Sequence, residues 1–437
     1  MKIGILGHYG NRNLGDEAII HAAIDSVRRH FPGADIACFS VNPADTRERH
    51  SVDAYPLSRA SQQRQAQSGI ETQVRSGPLQ GAAARRSIVD ALKRWRLVRW
   101  LYGALRSFAG AVRNIVLEIP FLFRNYRRLR AFDLILVTGS NQFLDNFGGV
   151  WGFPYTLLKW VSLARLAGAD VALVSLGAGP LNSRFSKAFA RLTIRLAQYT
   201  SYRDEASRRL VEGDVPEFTG KVFPDLASNL ETAGGAAAKR GEGVTTIGIN
   251  PMPMYDSRYW CDPDAGKYDE YVGKLAEAIV LLQARGYRCF LFNTQEQDKL
   301  VIHDILARMD DEGRASPSAT AARLSDTTGE LIDVIQSADL CITTRFHGAV
   351  LSLRCGVPVI GICYHRKIGD LLTSMEQGEF QLDLDHFSSQ ELIEKVRRLA
   401  DTIDVQREAI DRGRADNRRL TEQQYANLAS QFRAPAG

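Results

Sequence analysis

Short apolar strand signals alternate with helical periodicity along most of this chain, and that alternation restricts it to an α/β architecture with parallel sheets. Residues 2–7 read as a buried strand. Ile20, Ile24, Val27 and Phe31 then recur at helical spacing, and 36–41 reads as a second strand. Strands at 133–138, 171–176 and 199–203 are interleaved with helices at 155–167 and 187–197, and Asp204 is placed to cap the next helix. Residues 234–243 are Gly, Ala and charged groups with no large apolar side chain, the composition of a linker. A second series follows: strand 246–250, helix 271–285, strand 289–293, helices 299–309 and 331–337, strand 340–344, a helix after His347 and strand 359–363. The expected fold is therefore two Rossmann-like domains, 1–233 and 244–385, in a glycosyltransferase-B-like arrangement. A polar helical tail, 386–437, is expected to pack back across both.

Two stretches break the rhythm. Residues 59–84 are rich in Ser, Gln, Gly and Arg without periodicity and are expected to form a mobile loop. Residues 85–130 carry twelve basic side chains against Asp90 and Glu118, a net +10 that leaves −5 for the rest of a chain whose formal charge is +5. Trp95, Leu97, Trp100, Leu101, Leu105 and Phe108 are interleaved with these charges. Basic residues with tryptophans fit an anionic membrane surface, and fit equally a pair of amphipathic helices with a solvated basic face. Nucleic-acid binding is disfavoured, because no recognition motif accompanies the charge.

Composition narrows the class further. At 437 residues, 45% hydrophobic and 24% charged, the chain is ordinary for a globular protein with substantial cores. The six cysteines form no C-x-x-C pair and several lie in apolar runs, which suits a reducing compartment. No apolar run has the length of a membrane span, and polar His8 comes too early for a signal peptide. No His, Cys or Asp cluster has metal-ligand spacing, so neither metal nor cofactor is expected. The expected location is cytoplasmic, with membrane association at most peripheral on the inner face.

Two segments carry chemistry. Arg345, His347 and Lys367 fall at two neighbouring strand ends, where ligands of α/β sheets bind. A permanent cation, a group titrating near neutrality and an ammonium suit a small anion that exchanges a proton. At the other end of the chain, Gly10 and Gly15 have the glycine spacing of a nucleotide-binding P-loop, but Asp16 and Glu17 stand where Lys and Ser or Thr are required. Two carboxylates would repel a triphosphate. They suit a helix start, or a carboxylate facing the crevice as a base or as an acceptor for sugar hydroxyls; both readings stay open.

Taken together, several short segments resemble the polysaccharide pyruvyl transferase family. They are Gly10-Asn11-x-Asn13-x-Gly15-Asp16-Glu17-Ala18, Tyr202-Arg203-Asp204-x-x-Ser207, Pro224-Asp225-Leu226-Ala227, Ala338-Asp339-x-x-Ile342-x-x-Arg345-Phe346-His347-Gly348, and Gly356-Val357-Pro358 through Tyr364-x-x-Lys367. They occur in order over most of the chain. The stretch 138–145 departs from the pattern, with Ser140 and Asn141 where the family usually has glycines. The resemblance implies transfer of a pyruvyl group from phosphoenolpyruvate to two hydroxyls of a sugar, giving a ketal and phosphate, in cell-surface or exopolysaccharide synthesis. Phosphoenolpyruvate would be held by Arg203, Arg345, His347, Gly348 and Lys367. His347 would supply a proton or orient the phosphate, and Asp16 would take the proton of the attacking hydroxyl. Asn11, Asn13, Asp16, Asn141 and Asp145 would face the acceptor, a glycan or lipid-linked oligosaccharide. Asp225 is expected to cap a turn, and His8 is a reserve candidate. A nucleotide-sugar glycosyltransferase of the same fold and a non-catalytic, membrane-associated scaffold are the other readings.

Overall fold

The computed structural model describes residues 1–59, 61, 116–146, 148–213, 220–231, 243–260, 262–311 and 320–432. The expectations for most of 59–84 and 85–130, including Trp95 and Trp100, and for the linker at 234–243 lie outside these residues.

Two parallel sheets organise the chain. The first holds β1 (Lys2–Leu6), β2 (Asp35–Ser40), β3 (Asp53–Pro56), β4 (Leu134–Thr138), β5 (Asp170–Leu176), β6 (Tyr199–Tyr202) and β7 (Lys221–Val222), in the order β3-β2-β1-β4-β5-β6-β7. The second holds β8 (Thr246–Asn250), β9 (Arg288–Phe292), β10 (Thr320–Arg323), β11 (Leu340–Thr343), β12 (Val359–Cys363) and β13 (Gln381–Asp383), in the order β10-β9-β8-β11-β12-β13. The central strands β4 and β8 are buried at every position, which is why they read as unbroken apolar runs. In both sheets the winding reverses at the centre, between β1 and β4 and between β8 and β11. Such switch points open a crevice at the carboxyl ends of the strands.

The elements that the sequence hides are mostly edge elements. β7 is exposed at both residues and β10 at three of four, so neither carries an apolar run. The helix Pro43–His50 has two buried residues and no apolar stripe; it starts because Asn42 caps it and Pro43 takes the first turn. The helix expected at 271–285 begins earlier, at Ala265, where the Asp264 side chain accepts hydrogen bonds from the Gly266 and Lys267 amides.

One buried apolar cluster joins the domains and the tail. It runs from Ile20 and Ile24 of the helix Leu14–His30, through Leu331, Ile335 and Val350 of the second domain, to Tyr425 and Leu428 of the helix Ile403–Phe432. The tail helix starts on the second domain, where Gln406 accepts from Gln377 at 3.4 Å and Arg412 pairs with Glu376 at 2.9 Å. It ends on the first, where Gln424 donates to Ser175 and Ser201 at 3.1 and 2.8 Å and Glu422 meets Arg29 and His30.

Residues 116–129 are helical and carry exposed Val116, Leu117, Ile119 and Phe123. No helix among the described residues is long and apolar enough to cross a membrane.

Candidate active site

The loop after β1 is built by its own polar side chains. Asn13 caps the helix Leu14–His30 by accepting from the Gly15 and Asp16 amides. Its side-chain nitrogen donates to Asp16 Oδ2 at 2.7 Å. Glu17, almost fully buried, accepts from the Gly10 amide at 2.8 Å and holds His50 Nε2 at 2.8 Å. The two acids therefore divide the two readings: Glu17 ties the glycine loop down, while Asp16 keeps Oδ1 buried and without a partner.

Both domains meet on this loop. The Leu14 amide donates to the Thr294 carbonyl at 2.9 Å, and Asn13 bridges Gln295 in the loop after β9. His347 lies directly on Gly15, where a Cβ would stand 2.2 Å from the imidazole ring. Beside it the Arg203 guanidinium, from the end of β6, stacks on the Phe346 ring with 4.4 Å to the centroid. Arg203 also packs on Gly177, where a Cβ would stand 2.7 Å from the guanidinium. Asp16, Arg203 and His347, far apart in sequence, thus share one seam between the switch points of the two sheets.

The cations are held differently from one another. Arg203 donates to Asp225 Oδ2 at 3.2 Å and to Asn141 Oδ1 at 3.5 Å, while its buried Nε forms no hydrogen bond and only an ion pair with Asp204 Oδ2 at 3.4 Å. Lys367 donates to the same Asn141 oxygen at 2.7 Å. Arg345 does not stand as an open charge: its Nε donates to the buried Asp298 Oδ1 at 2.8 Å, and its Nη1 donates to Tyr259 at 3.2 Å. Gly348 lies in the first turn of the helix Phe346–Arg354, whose cap residue makes no side-chain cap hydrogen bond. Asn250 Oδ1 would lie 2.2 Å from a Cβ at Gly348.

Burial sets the protonation of this seam. Asp16 is pushed up to about 7 by desolvation, which overcomes a Ser140 hydrogen bond; Glu17 and Asp225 add repulsion and the Arg203 charge opposes it. Lys367 is brought down to about 7 by desolvation and by the neighbouring Arg203. His347 is expected from its residue type to titrate near neutrality, but burial, with Arg203 and Arg345 adding to it against the pull of Asp225, lowers it to about 4. The His347 side chain is half-buried, yet its Nε2 is shut from solvent and makes no hydrogen bond. At neutral pH His347 is therefore a neutral imidazole.

The acceptor-side residues are partly engaged within the protein. Asp145 Oδ2 accepts from the Asn182 and Ser183 amides, both at 2.9 Å. Burial pushes its carboxyl up, but these amides and the Ser186 hydroxyl hold it below its ordinary value. Asn141 donates to the Gly179 carbonyl at 2.8 Å, so both ends of its amide are used. Asn11 stays exposed, donating to the His8 carbonyl at 3.3 Å. Asp225 accepts from the Ala227 amide at 3.0 Å as a turn cap and also holds Arg203. His8 packs on Phe153 with 3.7 Å between ring centroids, and burial lowers it to about 3. Among the described residues no three His, Cys, Asp or Glu side chains cluster as metal ligands.

Asp298 and Phe346 hold this geometry, and neither is evident from sequence. An acid just ahead of an apolar run reads as a helix-start residue, and an aromatic beside Arg345 reads as core.

The sequence model of the polysaccharide pyruvyl transferase family matches residues 13–366, from the cap of the first helix to the threshold of Lys367. The chain belongs to this family. A relative, the amylovoran biosynthesis protein AmsJ of Erwinia amylovora, is 22% identical over 460 residues, spanning 99% of this chain and 96% of that protein. Among solved structures, this pyruvyl transferase family member is similar to a UDP-GlcNAc 2-epimerase of Neisseria meningitidis, with a TM-score of 0.57, 11% identity, 99% of this chain and 100% of that one covered. It is also similar to a sucrose-phosphate synthase of Thermosynechococcus elongatus, with a TM-score of 0.52, 12% identity, and 99% and 98% covered. These likenesses establish a glycosyltransferase-B-like fold for the family member.

Proposed function

We propose that this protein transfers the enolpyruvyl group of phosphoenolpyruvate to two hydroxyls of a glycan sugar, forming a pyruvate ketal and releasing phosphate. The observation that carries this reading is the seam itself: a stacked guanidinium, a half-buried imidazole with Nε2 shut from solvent and a carboxylate poised near pH 7, supplied by both domains. Arg203, whose Nε lies 3.4 Å from Asp204 Oδ2 without a hydrogen bond, and Lys367 fit the two anionic groups of the donor. The first turn of the helix Phe346–Arg354 supports them with backbone amides. Arg345, balanced by Asp298, fixes the wall more than it adds charge.

His347 is neutral among the protein's own groups, but a phosphate and carboxylate beside it would offset Arg203 and Arg345 and raise its pKa. The proton it then carries goes to the methylene carbon of the enol as a sugar hydroxyl bonds to the neighbouring carbon, and Asp16 takes the hydroxyl proton. Phosphate departs from that carbon, and the second hydroxyl closes the ketal there, its proton leaving with the phosphate. The decisive assay follows phosphate release from phosphoenolpyruvate with and without glycan. Release should depend on the glycan, and the product should gain a carboxylate. Consumption of a nucleotide-sugar with no gain of charge would replace this reading with glycosyl transfer.

Two further outcomes follow. Arg203→Ala should weaken phosphoenolpyruvate binding by about 1.5–3 kcal/mol, the usual worth of a charge-assisted contact, as read by calorimetry; unchanged affinity removes Arg203 from the donor site. The pH profile of kcat/KM should be a narrow bell near neutrality. Activity is lost as pH falls through the raised pKa of Asp16, about 7, and as it rises through the depressed pKa of Lys367, also about 7. Lys367→Arg should shift the alkaline limb upward, because a guanidinium does not titrate there. An unmoved limb assigns it to another group.

A peripheral position on a membrane would suit a lipid-linked acceptor. The exposed Val116, Leu117, Ile119 and Phe123 beside exposed Arg124 and Arg127 support it. Sedimentation with anionic vesicles that weakens in salt is the expected result. Equal sedimentation with neutral vesicles would point to a solvated helix face instead.

A further inference from the structure

A cavity of about 500 Å³ lies where the tail helix meets both domains, lined by Asn229, Glu231, Arg354, Asp411, Arg414 and Arg418 among others. Asn229 belongs to the turn Leu226–Asn229 that Asp225 caps, and Arg354 is the last residue of the helix that begins at Phe346. Arg414 and Arg418 come from the tail helix.

The cavity gathers three guanidinium groups against two carboxylates, both already engaged. Arg354 is pushed below its ordinary pKa by burial and by the like charges of Arg414 and Arg418, with Glu231 acting on it at longer range. Among the described residues neither Arg354 nor Arg418 forms an ion pair or side-chain hydrogen bond. Arg414 Nη1 donates to Asp411 at 2.7 Å, but its Nε is buried without a partner, and so is the Asn229 side-chain nitrogen. The acids in the wall are engaged, Asp411 by Arg414 and Glu231 by Arg29 at 3.3 Å. Three guanidinium groups face this cavity, and two buried donors in its wall, Arg414 Nε and Asn229 Nδ2, have no partner, an arrangement that an anion would stabilise.

We propose that this cavity is a second anion site, for a phosphate or pyrophosphate group. Planar forked guanidinium groups suit such oxyanions, and the volume leaves room for a pyrophosphate carrying a further group. The site is separate from the candidate donor seam. Arg354 ends the helix that starts at the seam, placing the two roughly 10–12 Å apart along its axis.

Calorimetry on the full chain with inorganic phosphate, inorganic pyrophosphate and farnesyl pyrophosphate tests this. Pyrophosphate should bind the wild type and the Arg203→Ala variant alike. Arg354→Gln and Arg418→Gln should each weaken it by about tenfold or more. Arg418 is exposed, so its variant should keep the wild-type circular dichroism and melting temperature. Tighter binding of farnesyl pyrophosphate would identify a lipid-linked source, and equal binding a free anion. If the wild type binds none of the three, or if Arg203→Ala removes binding while Arg354→Gln and Arg418→Gln retain it, the second site does not exist.

Discussion

Asp298→Ala is expected to destabilise the protein by about 3–5 kcal/mol, because it leaves a buried guanidinium without its counter-charge. Asp298 is fully buried and accepts from Arg345 through one oxygen. Its other oxygen accepts from the Thr294 and Gln295 amides at 2.9 and 3.0 Å. That second set matters equally, since Thr294 and Gln295 are the residues that meet Leu14 and Asn13 across the domains. One carboxylate therefore holds both Arg345 and the seam. Asp298→Asn keeps the shape and part of the hydrogen bonding but not the charge, so it should fall between wild type and Asp298→Ala. Urea denaturation reads this as a lower midpoint at an unchanged slope. A loss below about 1 kcal/mol for Asp298→Ala would mean that water or a shifted partner neutralises Arg345.

His347→Gln should reduce turnover by roughly 10²-fold or more while leaving donor affinity close to wild type. Glutamine keeps a hydrogen-bond donor for phosphate but cannot deliver a proton at neutral pH. The imidazole sits on Gly15 with Nε2 unpartnered, so the exchange changes chemistry more than the fold. Steady-state kinetics with direct donor titration separates the two effects. A collapse of affinity with turnover retained at saturation would make His347 an anchor and place the acid elsewhere. Taken with Asp298→Ala, the pair divides the seam into a residue that acts on substrate and one that positions the wall.

Much of the architecture is legible in the chain because it is local. A strand buried on both faces must be an unbroken apolar run, as in β4 and β8. A helix must begin with a cap, as Asp204 does by accepting from the Ser207 amide at 2.6 Å. Edge elements such as β7 and β10 escaped because exposed strands bear no such run. The ordered family motifs likewise pointed to Arg203, Arg345, His347 and Asp16 as a set. They named Asp16 rather than Glu17, though both are acids in the first turn of one helix.

Residue type and spacing by themselves determined the two-domain parallel fold and the absence of a P-loop lysine, and they nominated the side chains proposed to bear chemistry. Tertiary structure alone decided what each of them can do. It put Arg345 against Asp298, tied Asp145 to the amides at 182 and 183, and drew Glu17 into the loop while leaving Asp16 buried and half-satisfied. It also turned His347 from a group titrating near neutrality into a neutral imidazole. The physical reason is common to all of these: charge state and hydrogen bonding depend on desolvation and on partners brought from distant parts of the chain, and neither quantity is encoded locally.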